Sequence, residues 1–203
     1  MLRVDVLNRI ASNIGAEHYL EIGVQGGETF RNVAVSHKVG VDPTTSSAAT
    51  IHEPSDKFFS TLDPSVTFDL VFVDGLHHAD QVERDVDNAI KHLTPGGVIV
   101  CHDCNPPTED SASRSQCGGV WCGDVWRAWV ALRARLDARM FVVDTDLGCG
   151  VIIPDADPSP LDRDPPTTWG EFARDRAHWL NLITVAAFRQ EWPLPSAEES
   201  TPT

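Results

Sequence analysis

Side chains able to do chemistry stand at the downstream ends of apolar runs in this chain. Glu21 sits in Tyr19-Leu20-Glu21-Ile22, which runs into Gly23, Gly26 and Gly27, and Asp42 closes Val39-Gly40-Val41. Asp74 closes Phe68-Asp69-Leu70-Val71-Phe72-Val73 and is followed by His77 and His78, while His102 and Asp103 close Val98-Ile99-Val100-Cys101. A buried strand that meets glycines can turn tightly and bring its backbone close to a ligand. Ligands of open parallel sheets sit outside the carboxyl ends of the strands, so this order directs acids and imidazoles at one crevice.

The chemistry follows from the residue types. Asp74 and Asp103 would repel each other unless a cation or a donor separates them. Their hard oxygens suit Mg²⁺, whereas His102 suits Mn²⁺, Zn²⁺ or a contact one step behind the metal, or is a structural hydrogen-bonding histidine. His77 can titrate near neutrality and is the candidate base, although His77 or His78 could instead cap a helix starting near Ala79. Asp42 is suited to accept hydrogen bonds from ribose hydroxyls, with a helix cap as its other reading.

The elements that must position these groups are legible in the pattern. Residues 2–14 have helical periodicity, 18–22 read as a first strand, 28–35 begin a helix, and 39–42 form a short second strand. Residues 55–59 begin another amphipathic piece. The unbroken apolar run at 68–73 fits a strand covered on both faces, and Val82, Val86, Ile90 and Leu93 share one face of a helix over 80–93. Thr94-Pro95-Gly96-Gly97 breaks that helix before a strand at 98–101, and such a crossover makes the two strands parallel. After Asn105-Pro106-Pro107, residues 108–119 are long for a connection, as a lid would be. A helix over 121–136, strands at 141–143 and 151–153, a Pro/Asp-rich linker at 155–166 and a last helix over 169–188 complete the reading.

Composition excludes some functions. The chain has 203 residues, 41% of them hydrophobic, enough for one full core, and its net charge of −14 argues against binding along a phosphate backbone. Without an apolar signal core or a run of membrane-spanning length, the expectation is a soluble, cytoplasmic protein with no membrane partner. Five cysteines, Cys101, Cys104, Cys117, Cys122 and Cys149, are an odd number without an export signal, so reduced thiols are expected in preference to a disulfide framework. Cys101-x-x-Cys104 with Cys117 and Cys122 also reads as a zinc knuckle, disfavoured by the position of Cys101 inside a strand.

The interval from Gly23 to Asp42 would also suit an NAD-binding oxidoreductase. Glu21-x-Gly23-x-x-x-Gly27 lacks the Gly-x-Gly-x-x-Gly spacing that pyrophosphate contact requires, which favours a ligand without phosphates. A cofactor-binding module without catalysis is the third reading.

Residues 20–29, 42, 68–78 and 95–103 together resemble the motif order of class I S-adenosylmethionine-dependent methyltransferases, and within them the metal-dependent O-methyltransferases. The resemblance implies a Rossmann-like, doubly wound, seven-stranded, mostly parallel α/β sheet with a final antiparallel strand. It implies a methyltransferase domain over 1–155, a linker and packed helix over 156–190 and a disordered tail over 191–203. By the same resemblance Glu21, Gly23 and Gly27 belong to the first cofactor motif, with Thr29 at the methionine carboxylate. Asp42 is the ribose acid, Ser55 and Asp56 meet the adenine edge, and Asp74 touches both cofactor and metal. His102 and Asp103 complete the metal set, and His77 stands where related enzymes carry a lysine base. The implied cofactors are S-adenosylmethionine and Mg²⁺, or Mn²⁺ given the histidine.

The acceptor implied is a small polar molecule, a sugar or glycoside, in the manner of enzymes that methylate mannose polysaccharides, with catechol-like acceptors as the alternative. Homo-oligomerisation is compatible with such a protein. Val120-Trp121-Cys122-Gly123-Asp124-Val125-Trp126 is a further patch, either an acceptor wall with stacking tryptophans or a capped helix start with tryptophans in the core. Residues 144–148 border the same region.

Overall fold

The run at 68–73 is an interior strand of the sheet, and of its residues only Asp69 escapes burial. The computed structural model describes residues 1–116 and 118–194; Cys117 and residues 195–203 of the expected tail lie outside the described residues. In chain order the elements are α1 (Arg3–Ile14), β1 (His18–Ile22), α2 (Glu28–Asn32), β2 (His37–Val41), α3 (Ser55–Thr61), β3 (Phe68–Val73), α4 (Ala79–Lys91) and β4 (Leu93–Cys101). They continue as α5 (Val125–Arg135), β5 (Arg139–Val143), β6 (Cys149–Ile153), α6 (Trp169–Arg174), α7 (Arg176–Leu180), β7 (Leu182–Ile183) and α8 (Val185–Glu191).

The sheet runs β2-β1-β3-β4-β6-β5-β7. β2, β1, β3 and β4 are parallel, and β6 is antiparallel to both of its neighbours. Alternate side chains of β3 feed two cores. Leu70 and Phe72 pack with Val6, Leu7, Ile10 and Phe188 from α1 and α8. Val71 and Val73 pack with Phe58, Val86, Trp126 and Phe172 from α3, α4, α5 and α6. Burial on both faces is why these strands read as continuous apolar runs. Strand order reverses between β1 and β3, so the crevice at a topological switch point opens where Ile22 and Val73 end their ladder.

Local chemistry explains where the elements depart from expectation. α2 stops at Asn32, three residues short, and Lys38 of β2 donates to the carbonyls of Phe30 and Val33 at 2.9 and 2.8 Å, satisfying the helix end. α4 ends at Lys91 with His92 as its C-cap, ahead of Thr94-Pro95-Gly96-Gly97, and Leu93, expected on the helix, opens β4; the ladder jumps from Phe68↔Leu93 to Leu70↔Val98, and Pro95 and Gly96 bulge out exposed. The single helix expected over 169–188 is instead α6, α7, β7 and the start of α8. Asn181 takes the left-handed conformation with φ +46°, which asparagine tolerates, and the chain after it joins the sheet edge through Val142↔Leu182 and Val143↔Ile183. α5 begins at Val125 and not at Trp121, because Gly123 turns at φ +61° directly against the His77 carbonyl.

Among the described residues, no helix is long and apolar enough to cross a membrane.

Trp126 settles into the core, its ring 4.4 Å from that of Phe172 and 6.2 Å from that of Trp169, whereas Trp121 remains partly exposed. Trp126→Ala is therefore expected to lower unfolding free energy by about 3–5 kcal/mol, and Trp121→Ala by about 1 kcal/mol. Urea denaturation of both variants measures the contrast, and equal losses would contradict the placement.

Candidate active site

The parallel ladder extends one step past the strand ends. The Asp74 N–H donates to the Ile22 carbonyl at 2.8 Å and the His102 N–H to the Val73 carbonyl at 3.0 Å. These bonds set Asp74 beside His102, and Asp103 follows at φ +61°, a region open to aspartate at modest cost. His102 Nδ1 lies 3.3 Å from Asp74 Oδ1 and 3.3 Å from Asp103 Oδ1. Ligand atoms of all three side chains fall within 4.8 Å of one another. His102 Nδ1 and Asp103 Oδ1 are buried without a hydrogen-bond partner. Two carboxylates and an imidazole, closely grouped and with buried valences unspent, fit a divalent cation.

Electrostatics hold the cluster together. Burial opposes the charge on Asp74, but the neighbouring His102, His77 and Arg3 prevail and keep its carboxyl well below the usual range. Burial likewise opposes charge on His102 and His77, and the facing carboxylates raise both above the ordinary histidine value. His77 is held between partners on both ring nitrogens: Nε2 is 3.5 Å from Asp74 Oδ1, and Nδ1 is 3.3 Å from Asp103 Oδ2 and 3.2 Å from the Trp121 carbonyl.

Two residues outside the expected set complete the cluster. Arg3, at the start of α1, donates from Nη1 to Asp74 Oδ2 at 2.8 Å and from Nε to Asp146 Oδ2 at 2.9 Å. Asp146 also accepts from the Arg3 backbone N–H at 2.8 Å, and its Oδ2 lies 3.8 Å from His102 Nε2. Only the border position of residues 144–148 pointed to Asp146. Nothing in the periodicity of the first helix marked Arg3.

The remaining expected residues line two adjoining cavities. The first, about 430 Å³, is bounded by Glu21, Gly23, Gly27, Thr29, Asp74 and the start of α1. The second, about 330 Å³, is bounded by Asp42, Ser55, Asp56, Asp74, Leu76 and Gln81. Gly23, Gln25 and Asp74 belong to both, so the two form one groove across the switch point.

Gly23, at φ +89°, is required by its neighbour across the sheet: a Cβ there would stand 2.1 Å from the Asp74 carbonyl oxygen. Asp42 organises the glycine turn, accepting from the N–H groups of Val24 and Gln25 through Oδ2 at 3.1 and 2.8 Å and from Thr44 through Oδ1 at 2.8 Å. Burial disfavours its charge, yet these donors hold its pKa below the ordinary value.

Gln81 was not anticipated. Its amide lies 3.2 Å from Ser55 Oγ, 3.1 Å from Asp56 Oδ1 and 3.0 Å from Asp85 Oδ1, tying α3 to α4 along the floor of the second cavity.

On the opposite side, Trp121 stacks on His77 with ring centroids 5.0 Å apart and its edge meets His78. Asp124, the residue before α5, accepts from the Ala79 N–H at 2.7 Å and so caps α4. His78 is the residue before that helix and makes no side-chain cap bond. The stretch expected to be a lid is tied down, Arg114 pairing with Asp80 at 2.6 Å and the Trp121 indole donating to the Ser113 carbonyl at 2.7 Å. Cys101, Cys104, Cys122 and Cys149 are free and buried. Among the described residues, no cysteine joins a cluster of three or more metal-binding side chains, so the zinc knuckle is not formed by them.

Residues 35–104 match a sequence family described as a methyltransferase domain, a span that includes Asp42, Asp74, His77, His102 and Asp103. No curated protein matches the chain. The fold is shared with an O-methyltransferase from Bacillus cereus in complex with SAH, at 16% identity over 74% of this chain and 80% of that one, with a TM-score of 0.56. It is shared with the O-methyltransferase TomG from Streptomyces achromogenes, involved in tomaymycin synthesis and in complex with SAM, at 21% identity, 74% and 78% coverage and a TM-score of 0.57. A SAH-bound methyltransferase from Podospora anserina is similar at 17% identity, 70% and 74% coverage and a TM-score of 0.53. The architecture is thus the Rossmann-like methyltransferase fold, with the antiparallel strand β6 inserted between β4 and β5.

Glu21 supplies a pH test of this geometry. Burial pushes its carboxyl up to about 8 against the hydrogen bond from the Tyr19 hydroxyl at 2.6 Å, from an ordinary value of 4.5. Between those limits the unfolded chain releases a proton that the folded protein retains, so this group makes stability fall as pH rises across the window. Glu21→Gln should therefore gain stability relative to the unsubstituted protein between pH 5 and pH 8, read as the difference in urea midpoints. A difference independent of pH would show that Glu21 is not buried as described.

Proposed function

We propose that this protein is an S-adenosylmethionine-dependent O-methyltransferase that acts, with a divalent cation, on a hydroxyl of a small polar acceptor of the sugar or glycoside class. The observation that carries the reading is the continuous groove from Asp42 and Asp56 through Gly23 to Glu21, which runs past the cluster of Asp74, His102 and Asp103. A nucleoside fits the end with Asp42, Ser55 and Asp56, and an amino-acid end fits the side with Glu21 and Thr29. The acids Glu28, Asp74 and Asp146 around the first cavity suit an ammonium and a sulfonium and oppose a pyrophosphate, which weighs against a dinucleotide.

Methyl transfer requires in-line approach of the acceptor oxygen to the methyl carbon; the C–S bond breaks with its electrons left on sulfur, and the hydroxyl proton goes to a base. His77 is assigned that proton. It is oriented by Asp74, Asp103 and the Trp121 ring, so its position does not depend on a flexible side chain. Trp121 offers the partly exposed face against which a sugar or aromatic ring would stack. Asp74, His102 and Asp103 would hold the cation, Mg²⁺ or, with an imidazole among the donors, Mn²⁺. When bound, such an ion lowers the pKa of an acceptor hydroxyl and fixes its orientation. Mannose polysaccharide is the narrowest form of this acceptor class.

Titration calorimetry should detect binding of S-adenosylhomocysteine, weakened roughly 10- to 100-fold by Asp42→Ala through loss of charge-assisted hydrogen bonds; binding of NAD in its place would move the protein to the oxidoreductases. Radiolabelled methyl transfer to pooled mannosides, other glycosides and phenols should stop in EDTA and return with Mg²⁺ or Mn²⁺. Full turnover in chelator would remove the metal role, and tight cofactor binding without transfer to any acceptor would leave a binding module. His77→Gln is expected to lower kcat by about 10²–10⁴ while leaving S-adenosylhomocysteine affinity little changed.

A further inference from the structure

We infer that Arg3 is the receptor for the α-carboxylate of the cofactor's amino-acid end, an assignment that rests on the methyl-donor reading above. The first cavity is lined by Glu21, Glu28, Asp74 and Asp146, and Arg3 is the one basic side chain among its described lining residues. An α-amino acid brings an ammonium and a carboxylate together. Glu28, Asp74 and Asp146 answer the ammonium, but they would repel the carboxylate, a repulsion that the guanidinium offsets.

The guanidinium is held ready for this role. A guanidinium presents about five N–H donors in a planar fork; here Nε and Nη2 engage Asp146 at 2.9 and 3.4 Å, and Nη1 engages Asp74 at 2.8 Å. One N–H on each terminal nitrogen is left over for a further acceptor such as a carboxylate. The side chain is 30% exposed and lines the cavity. Asp146 keeps the fork in place because it also accepts from the Arg3 backbone N–H at 2.8 Å. Its own turn is closed by the Gly148 N–H to the Thr145 carbonyl at 2.8 Å, and the Thr145 hydroxyl donates to the Met1 carbonyl. The start of α1 is thus tied to the β5–β6 turn as a wall of the cavity. The Thr29 hydroxyl lies on the same cavity's other wall and can share the carboxylate.

The alternative is that Arg3 serves only to neutralise Asp74 and Asp146. Two ligands separate these roles: S-adenosylhomocysteine, and its decarboxylated analogue S-adenosyl-3-thiopropylamine, which keeps the nucleoside, thioether and ammonium but lacks the carboxylate. Calorimetry on the full-length protein should show S-adenosylhomocysteine binding roughly 10- to 100-fold more tightly than the analogue, the range for hydrogen bonds to charged groups. Arg3→Gln should erase most of that difference, weakening S-adenosylhomocysteine while leaving the analogue nearly unchanged, and Arg3→Lys should restore part of it. Equal loss for both ligands in Arg3→Gln, or equal affinity of the unsubstituted protein for both, would overturn the assignment. The second comparison needs no variant and so does not depend on Arg3→Gln folding. If the unsubstituted protein binds neither nucleoside, the methyl-donor reading itself falls; if it binds S-adenosylhomocysteine but Arg3→Gln affects both ligands alike, only the role of Arg3 does.

Discussion

Negative charge gathered at the carboxyl ends of parallel strands must be answered by positive charge, and the site is organised around that need. Asp74 and Asp103 come within reach of one another because β3 and β4 are neighbours in register, Val73 beside Cys101. Alone they would repel. His102 stands between them, His77 bridges them from the Trp121 side, and Arg3 reaches Asp74 from the first helix. These three side chains come from different segments, so the cluster also joins α1, the loop before α4, and the β4 end into one unit.

Close backbone approach is the second constraint, and it serves the first. Gly23 lets the turn after β1 lie against the Asp74 carbonyl, and Gly123 lets the turn before α5 lie against the His77 carbonyl, where a Cβ would stand 1.8 Å away. These two contacts place the glycine turn on one side of Asp74 and Trp121 on the other side of His77. A carboxylate shared by two cavities and an imidazole backed by an indole are the outcome. Asp42 and Asp124 contribute in a similar way: Asp42 accepts backbone N–H groups of the glycine turn, and Asp124 accepts the first N–H of α4 through one oxygen and Arg114 through the other, fixing loops that carry the other residues.

Strand ends were legible because burial on both faces leaves uninterrupted apolar runs, and a polar residue after such a run has little choice but to face the crevice. Hence Asp42, Asp74, His102 and Asp103 could be placed from order alone, as could the extents of β1 and β3. The split of the last helical stretch was not legible, since Asn181 reads as an ordinary helix residue until it adopts φ +46° and β7 pairs with β5. Trp121 and Trp126 were indistinguishable by type; packing against Phe172 places one in the core and stacking on His77 places the other at the site.

What the residues alone determined is the class of sheet, the acids and imidazoles at its strand tips, and the glycines that let turns pass close to them, because period and burial are local properties of the chain. What only the tertiary structure decided is which charges answer one another. Arg3 meets Asp146 across 143 positions and Asp74 across 71. Gln81 ties Ser55 and Asp56 to α4, and Asp124 caps a helix 45 residues upstream. Ion pairs and hydrogen bonds of this kind depend on distances of a few ångströms that folding sets, and no local pattern records them.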